Sequence, residues 1–269
     1  MIADPEGPIG VFDSGIGGLT VACEIKKLLP NERIIYFGDT AHLPYGDKSA
    51  DAIRYYSLKI SKFLIDRRCK TIVIACNSAS SAAYEMLLDF FEGKVHFVNV
   101  VDPLVEAVIK NGYQRIGVIA TKATINSGIY RNKIRSINQK AYVHQLATPL
   151  LVPMIEEGFF KAEISRVILK EYLKDPGFDG IEAMLLGCTH YPLIKPAIEE
   201  YFDGKVAVLD STEVTARALE KILVENQLLK DSSSEEEDVF YVTDYTTSFE
   251  NTTEIFYGKK QKLMPLSFW

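Results

Sequence analysis

The feature that most constrains the fold is a repeated pattern in which a short apolar run ends at a cysteine. Residues 71–75 precede Cys76, and residues 183–187 precede Cys188. Each run has the length and character of a buried parallel strand, and hydroxyl or amide side chains suited to a helix start follow each cysteine. Open α/β sheets keep their ligand sites at the carboxyl ends of strands, so we expect both thiols at such ends.

Strands and helices alternate along most of the chain, and this order predicts parallel sheets with right-handed crossovers. Strands are predicted over residues 8–12, 33–37, 71–75, 95–101, 115–120, 142–146, 181–186, 206–209 and 239–243. Helices are predicted over residues 19–29, 49–67, 103–111, 121–137, 192–201 and 212–229, with another inside 155–173. The acidic stretch 231–238 is predicted to be a solvated hairpin or linker.

The repeated strand, cysteine and helix predict an α/β protein of two similar, pseudo-symmetric lobes, each a mainly parallel sheet flanked by helices. We expect residues 1–101 and 213–269 to form the lobe that carries Cys76. Residues 102–212 would form the lobe that carries Cys188. A site between the lobes would then receive one thiol from each.

Composition excludes several classes of function. The chain has 269 residues and a formal net charge of −6, so it lacks a global basic surface for nucleic acid. No apolar stretch approaches the roughly 20 residues that span a bilayer. The first residues carry acids and no apolar signal region, and the four cysteines include no CxxC pair. We therefore expect a cytoplasmic protein with reduced thiols and no membrane partner.

Common cofactor and metal motifs are missing from the sequence. The glycine-rich turn 13–18 fails as a dinucleotide loop, because the frame that starts at Gly15 requires glycine where Thr20 stands. The four histidines show neither an HxxxH spacing nor a paired cysteine. The sequence therefore predicts no metal site and no dinucleotide cofactor.

Two thiols on opposite sides of one carbon atom could act as base on one face and acid on the other, which inverts a stereocentre. The competing interpretation is that both cysteines are small buried hydrophobes. His190, two residues after Cys188, could tune that thiol or relay its proton. Asp13 could bind a cationic amine or support a thiol, and helix capping explains its position equally well.

The other polar residues that follow the predicted strand ends are mostly neutral hydrogen-bond donors. They suit a small zwitterion better than a nucleotide, because neutral donors and helix starts bind small anions. Tyr45 and the backbone N–H of Gly46 could hold a carboxylate. The other candidate contacts are Ser14, Asn77, Ser78, Thr121, Thr124 and Thr189.

Four ordered segments resemble those of the bacterial glutamate racemases, within the aspartate/glutamate racemase superfamily. They are residues 11–18, residues 36–40 with 44–46, residues 75–79 and residues 186–192, and residues 240–245 also resemble the last strand of that family. The resemblance covers nearly the whole chain. It implies two α/β lobes around a cofactor-independent two-base isomerase that interconverts L- and D-glutamate, supplying D-glutamate for peptidoglycan, and it implies a homodimer.

The resemblance also implies roles for individual residues. Cys76 would remove the α-proton of D-glutamate and Cys188 that of L-glutamate, without pyridoxal phosphate or a metal. Asp13 would assist Cys76, whereas His190 and Glu156 would assist Cys188. Glu156 is preferred over its neighbour Glu157 on spacing alone. The substrate contacts implied by the family's motif positions are Asp13, Ser14, Tyr45, Gly46, Asn77, Ser78, Thr121, Thr124, Thr189 and His190.

Three other functions stay open. An aspartate racemase of the same superfamily would share the two cysteines and differ in substrate. A non-catalytic amino-acid-binding or regulatory protein would keep the lobes without turnover. A redox protein would instead join Cys76 and Cys188 in a disulfide, whereas a two-base racemase requires a gap between the thiols that holds a Cα centre.

Overall fold

The computed structural model describes residues 4–232 and 236–269. Within them the strands are β1 (Ile9–Asp13), β2 (Ile34–Gly38), β3 (Thr71–Ile74), β4 (His96–Asn99), β5 (Arg115–Ala120), β6 (Tyr142–Ala147), β7 (Ala183–Gly187), β8 (Ala207–Asp210), β9 (Val239–Val242) and β10 (Leu263–Pro265). The helices are α1 (Leu19–Leu28), α2 (Ala50–Asp66), α3 (Asn77–Phe90), α4 (Asp102–Lys110), α5 (Lys122–Ser127), α6 (Ile129–Ile137), α7 (Leu151–Glu156), α8 (Glu163–Leu173), α9 (Lys195–Tyr201), α10 (Thr212–Glu225) and α11 (Thr247–Tyr257).

The strands form two sheets in which every pairing is parallel, which confirms the predicted fold class. One sheet has the order β10-β9-β2-β1-β3-β4, and the other has the order β6-β5-β7-β8. Most strands are buried along their length, as expected where helices cover both faces of a parallel sheet.

The two sheets repeat one strand order, and this repeat places the cysteines. The segment β2-β1-β3-β4 of the first sheet corresponds to β6-β5-β7-β8 of the second. In each sheet the strand order reverses beside the first strand, and a crevice forms at the carboxyl ends of strands at such a switch point. Cys76 lies two residues after the end of β3, and Cys188 directly follows β7, so the thiols occupy similar positions at the ends of corresponding strands.

One hydrophobic cluster joins the two sheets. It contains Val11 of β1 and Val73 of β3 together with Met184 and Leu186 of β7, all fully buried. Helix α10 follows the second sheet in sequence but packs most closely on α1 of the first. The proposed lobe boundaries, residues 101/102 and 212/213, stay a prediction.

Several predicted helices have different limits in the structure. The predicted helix over residues 121–137 is two helices, because Gly128 adopts a left-handed conformation (φ 67°) between α5 and α6. The predicted helix over residues 192–201 begins as a 3₁₀ turn, Tyr191–Ile194, before α9. Helix α10 ends at Glu225 rather than at residue 229, and the chain turns at Gln227, which has a φ of 57°.

The last part of the chain holds two elements that were not predicted, α11 and β10. The Thr246 hydroxyl accepts a hydrogen bond from the Phe249 N–H and starts α11. Strand β9 joins the first sheet between β2 and β10. Part of the predicted acidic loop, residues 233–235, lies outside the described residues. The last residue of the acidic stretch, Asp238, contacts the first sheet and α1. Its carboxylate accepts the Ile34 N–H at 2.9 Å and pairs with Lys26 at 3.1 Å.

Candidate active site

Cys76 stands at the junction of β3 and α3, where it serves as the helix cap. Its sulfur accepts the N–H of Ala79 at 3.5 Å, and its thiol donates to the Ser14 hydroxyl at 3.7 Å. Burial raises the pKa of the Cys76 thiol well above its ordinary value, and the nearby Asp13 carboxylate raises it further. Cys76 is therefore a neutral thiol near pH 7, which is the proton-donating form.

Asp13 ends β1, the strand beside β3, and its two carboxylate oxygens have different environments. Oδ2 accepts the N–H groups of Gly15 at 3.3 Å and Gly18 at 2.9 Å, which is the capping role considered from the sequence. Oδ1 is buried and has no hydrogen-bond partner within the described residues. A buried carboxylate oxygen without a partner is costly, so this atom suits a cationic ligand group.

Cys188 has a basic neighbour instead of an acidic one. Its sulfur lies 3.6 Å from His190 Nδ1, and His190 Nε2 lies 2.9 Å from Glu156 Oε1. Burial alone would lower the pKa of His190, but the hydrogen bonds to Cys188 and Glu156 outweigh it and raise the pKa to about 10. A protonated imidazole at this distance stabilises a thiolate. The carboxylate in contact with His190 is Glu156, and Glu157 is exposed.

The turn after β1 lies directly against the Cys188 segment. A Cβ atom at Gly17 would stand 2.3 Å from Cε1 of His190 and 2.7 Å from Oγ1 of Thr189, so only glycine fits there. The Thr20 hydroxyl donates to the Thr189 carbonyl at 3.0 Å. These contacts set the spacing between the turn after β1 and the segment that carries Cys188.

Hydroxyl and amide groups gather on the other side of the site. Ser78 Oγ is 2.9 Å from Thr121 Oγ1 and 3.4 Å from Thr124 Oγ1. Asn77 Oδ1 accepts the hydroxyl of Tyr130 at 2.6 Å. Asn77 Nδ2 is buried and unpaired within the described residues, and so it is a free donor.

Tyr45 and Gly46 both line the cavity, and each has a contact outside it. The Tyr45 hydroxyl donates to Asp39 Oδ2 at 2.7 Å, so this group is already engaged. Gly46 lies against the start of α5, because a Cβ atom there would meet Thr121 Cβ at 2.8 Å.

A cavity of about 250 Å³ lies between the two groups of strand ends, and both thiols line it. Every predicted site residue lines this cavity except Thr124, which is buried behind Ser78 and Thr121. The cavity is also lined by residues that were not predicted to belong to the site, and most of them are apolar. These are Leu43, Pro44, Asp47, Lys122, Thr148, Pro149, Val152 and Pro153.

All four cysteines are free thiols, including Cys76 and Cys188. Over residues 4–232 and 236–269, no group of three or more histidine, cysteine or acidic side chains is placed to hold a metal ion. Among the helices described, none is both long and apolar enough to cross a membrane.

Comparison with known proteins agrees with this geometry. Residues 20–219 match the family described as Asp/Glu/Hydantoin racemase. A glutamate racemase of Geobacter metallireducens is 41% identical over 259 residues, which cover 95% of this chain and 94% of that protein. The chain belongs to the aspartate/glutamate racemase family. It is therefore an isomerase of the amino-acid racemase class.

Solved structures of family members have the same fold. Glutamate racemase from Francisella tularensis, in complex with D-glutamate, is 39% identical with a TM-score of 0.92, and the match covers 98% of this chain and 99% of that one. Glutamate racemase from Thermus thermophilus, in complex with beta-chloro-D-alanine, is 37% identical with a TM-score of 0.88 and 98% coverage of both chains. The two-sheet architecture of this racemase is thus that of its family.

Proposed function

We propose that this racemase interconverts L- and D-glutamate by proton transfer at Cα between Cys76 and Cys188. One observation carries the proposal: two thiols from equivalent strand ends line a single cavity, and each has its own acid–base partner. The solved relative with bound D-glutamate supports glutamate as the substrate.

The two thiols have different charged neighbours. Cys76 is a neutral thiol beside Asp13, and Cys188 contacts an imidazole that stays protonated near neutral pH. A Cys188 thiolate removes the α-proton of L-glutamate, and Cys76 delivers its own proton to the opposite face. The product is D-glutamate, with a thiol at Cys188 and a thiolate at Cys76. The reverse reaction starts from that state, in which Asp13 raises the basicity of the Cys76 thiolate.

The cavity supplies groups that match an amino acid. Asp13 Oδ1 offers a buried acceptor to the ammonium group, and Asn77 Nδ2 offers a donor to a carboxylate. The hydroxyls of Ser14, Ser78 and Thr189 provide further neutral donors. A positioned base contributes about 10²–10⁴ in rate, so orientation and electrostatic preorganisation must supply the rest of the stabilisation of the α-carbanion.

The wider context follows from this activity. D-glutamate formed here would serve peptidoglycan synthesis in the cytoplasm, and the reaction would need neither pyridoxal phosphate nor a metal. A homodimer is the proposed assembly.

Incubation of the pure protein with L- or D-glutamate in D₂O, without added cofactor, tests the proposal. We expect deuterium at Cα together with inversion from either enantiomer. Cys76→Ser and Cys188→Ser should each lower inversion at least 10²-fold. Cys69→Ser is the matched control, because Cys69 is buried away from the cavity. Absence of exchange with both enantiomers refutes the proposal, and faster exchange with aspartate would identify an aspartate racemase.

A further inference from the structure

Tyr130 lies on α6, which packs on the second sheet, and its hydroxyl reaches a polar group of α3, which packs on the first sheet. Tyr130 is fully buried, yet its hydroxyl donates to Asn77 Oδ1 at 2.6 Å. Asn77 is the first residue of α3 and directly follows Cys76. The bond therefore links α6 to the segment that carries Cys76.

The same ring also touches the segment that carries the second thiol. A Cβ atom at Gly187 would stand 3.1 Å from Cε2 of Tyr130, and Gly187 immediately precedes Cys188. The ring belongs to the hydrophobic cluster that includes Leu104, Val118 and Leu185, which holds it in place. Tyr130 is thus a rigid side chain in contact with both cysteine-bearing segments.

The bond from Tyr130 decides which end of the Asn77 amide faces the cavity. A side-chain amide has one acceptor oxygen and one donor nitrogen, and rotation exchanges them. Because Oδ1 is occupied by the tyrosine hydroxyl, the amino group is left as the free end. Asn77 lines the cavity, only 3% of the residue is exposed, and Nδ2 has no partner within the described residues.

We propose that Tyr130 is a positioning residue that fixes the Asn77 amide with its amino group directed at a substrate carboxylate. This inference deepens the proposed glutamate racemisation and depends on it. Burial raises the pKa of the Tyr130 hydroxyl, which therefore stays protonated and donating throughout the working pH range. Tyr130 itself does not line the cavity, so it acts through Asn77.

The test is a double-mutant cycle on glutamate racemisation with Tyr130→Phe, Asn77→Ala and the double variant. Loss of one neutral hydrogen bond corresponds to about a tenfold effect, so we expect Tyr130→Phe to raise KM about tenfold and to change kcat much less. In the Asn77→Ala background the same change should have no further effect. Tyr142→Phe removes a hydroxyl bonded to the Gly177 carbonyl outside the cavity and is the control.

The outcomes separate the two proposals. A wild-type protein that does not racemise glutamate refutes the proposed function and this inference together. An active wild type with an unchanged Tyr130→Phe variant refutes the inference alone, as does an equal effect of Tyr130→Phe in both backgrounds.

A second measurement needs no Tyr130 variant and covers the case in which Tyr130→Phe does not fold. The ¹⁵N-labelled side-chain amide of Asn77 is assigned in the wild-type spectrum by its absence in Asn77→Ala. Glutamate should shift both proton resonances of this amino group when it binds. Unchanged resonances at saturating glutamate would overturn the inference.

Discussion

His190 contacts Cys188 through Nδ1 at 3.6 Å, and its opposite nitrogen contacts Glu156 at 2.9 Å. Cys76 has the reverse environment, because its charged neighbour is the carboxylate of Asp13. The racemase therefore has a thiol beside a cation on one side of the cavity and a thiol beside an anion on the other.

Replacing His190 by Asn should impair proton transfer at Cys188 more than at Cys76. We expect kcat/KM to fall about 10²-fold in both directions, because the equilibrium between enantiomers fixes their ratio. The isotope effect on kcat/KM should rise for α-deuterated L-glutamate and not for α-deuterated D-glutamate. Equal isotope effects for the two enantiomers would contradict the assignment of His190 to Cys188.

Stability should depend on pH through His190. Its pKa is raised from 6.5 to about 10 in the folded protein, so protonation of this group favours the folded state. This contribution is complete below about pH 6.5 and is lost as the pH rises to about 10. Urea unfolding between pH 6 and 10 should show a steeper loss of unfolding free energy for the wild type than for His190→Asn. Parallel pH profiles for the two proteins would show that His190 does not cause the pH dependence of stability.

Asp13→Asn should make Cys76 more reactive and the enzyme less active. Burial is the main cause of the raised pKa of Cys76, and the Asp13 charge is the next, so a neutral amide lowers that pKa. Alkylation of Cys76 by iodoacetamide at pH 8–9, followed by peptide mass spectrometry, should accelerate several-fold. Cys69, whose pKa is raised to about 12 by burial, is the internal control and should not change. Unaltered alkylation of Cys76 would show that the Asp13 charge does not act on it.

Gly17→Ala should displace His190 while the fold persists. The added methyl group would stand 2.3 Å from His190 Cε1, which forces the two segments apart. Misplacement of a reacting group by about 1 Å can cost about 10² in rate, so we expect a loss of that order in kcat/KM. In a His190→Ala background the substitution should cost much less, since the imidazole is gone. Equal losses in both backgrounds would show that Gly17→Ala does not act through the His190 imidazole.

Trp269→Phe should weaken the support of the Tyr45 loop. The Trp269 indole donates to Asp39 Oδ1 at 2.8 Å, and Asp39 also accepts the Tyr45 hydroxyl. Loss of this bond should cost about 1 kcal/mol, a decrease in Tm of roughly 2–4 °C by calorimetry. Tyr55→Phe, on the exposed side of the same aromatic cluster, is the control. An unchanged Tm in Trp269→Phe would show that the indole bond contributes nothing.

Local sequence determined every described strand except β10, most helices and the position of each thiol at a strand end. Buried parallel strands are short apolar runs, and polar residues that follow them directly are brought to the same sheet edge. Asp13 and Cys76 are therefore neighbours at one edge of the first sheet, and Cys188 lies at the corresponding edge of the second. The break at Gly128 and the elements after residue 243 were missed, because the first depends on one backbone angle and the others on contacts with distant parts of the chain.

Only the tertiary structure decided how the site is assembled. Glu156 rather than Glu157 contacts His190, the Tyr45 hydroxyl is taken by Asp39, and Tyr130 holds the Asn77 amide. Each pair joins residues from different elements, and the distances between them are set by how the sheets and helices pack. The sequence therefore determined that two cysteines end equivalent strands. Packing decided that both thiols line one cavity, with the Asp13 carboxylate beside Cys76 and the His190 imidazole beside Cys188.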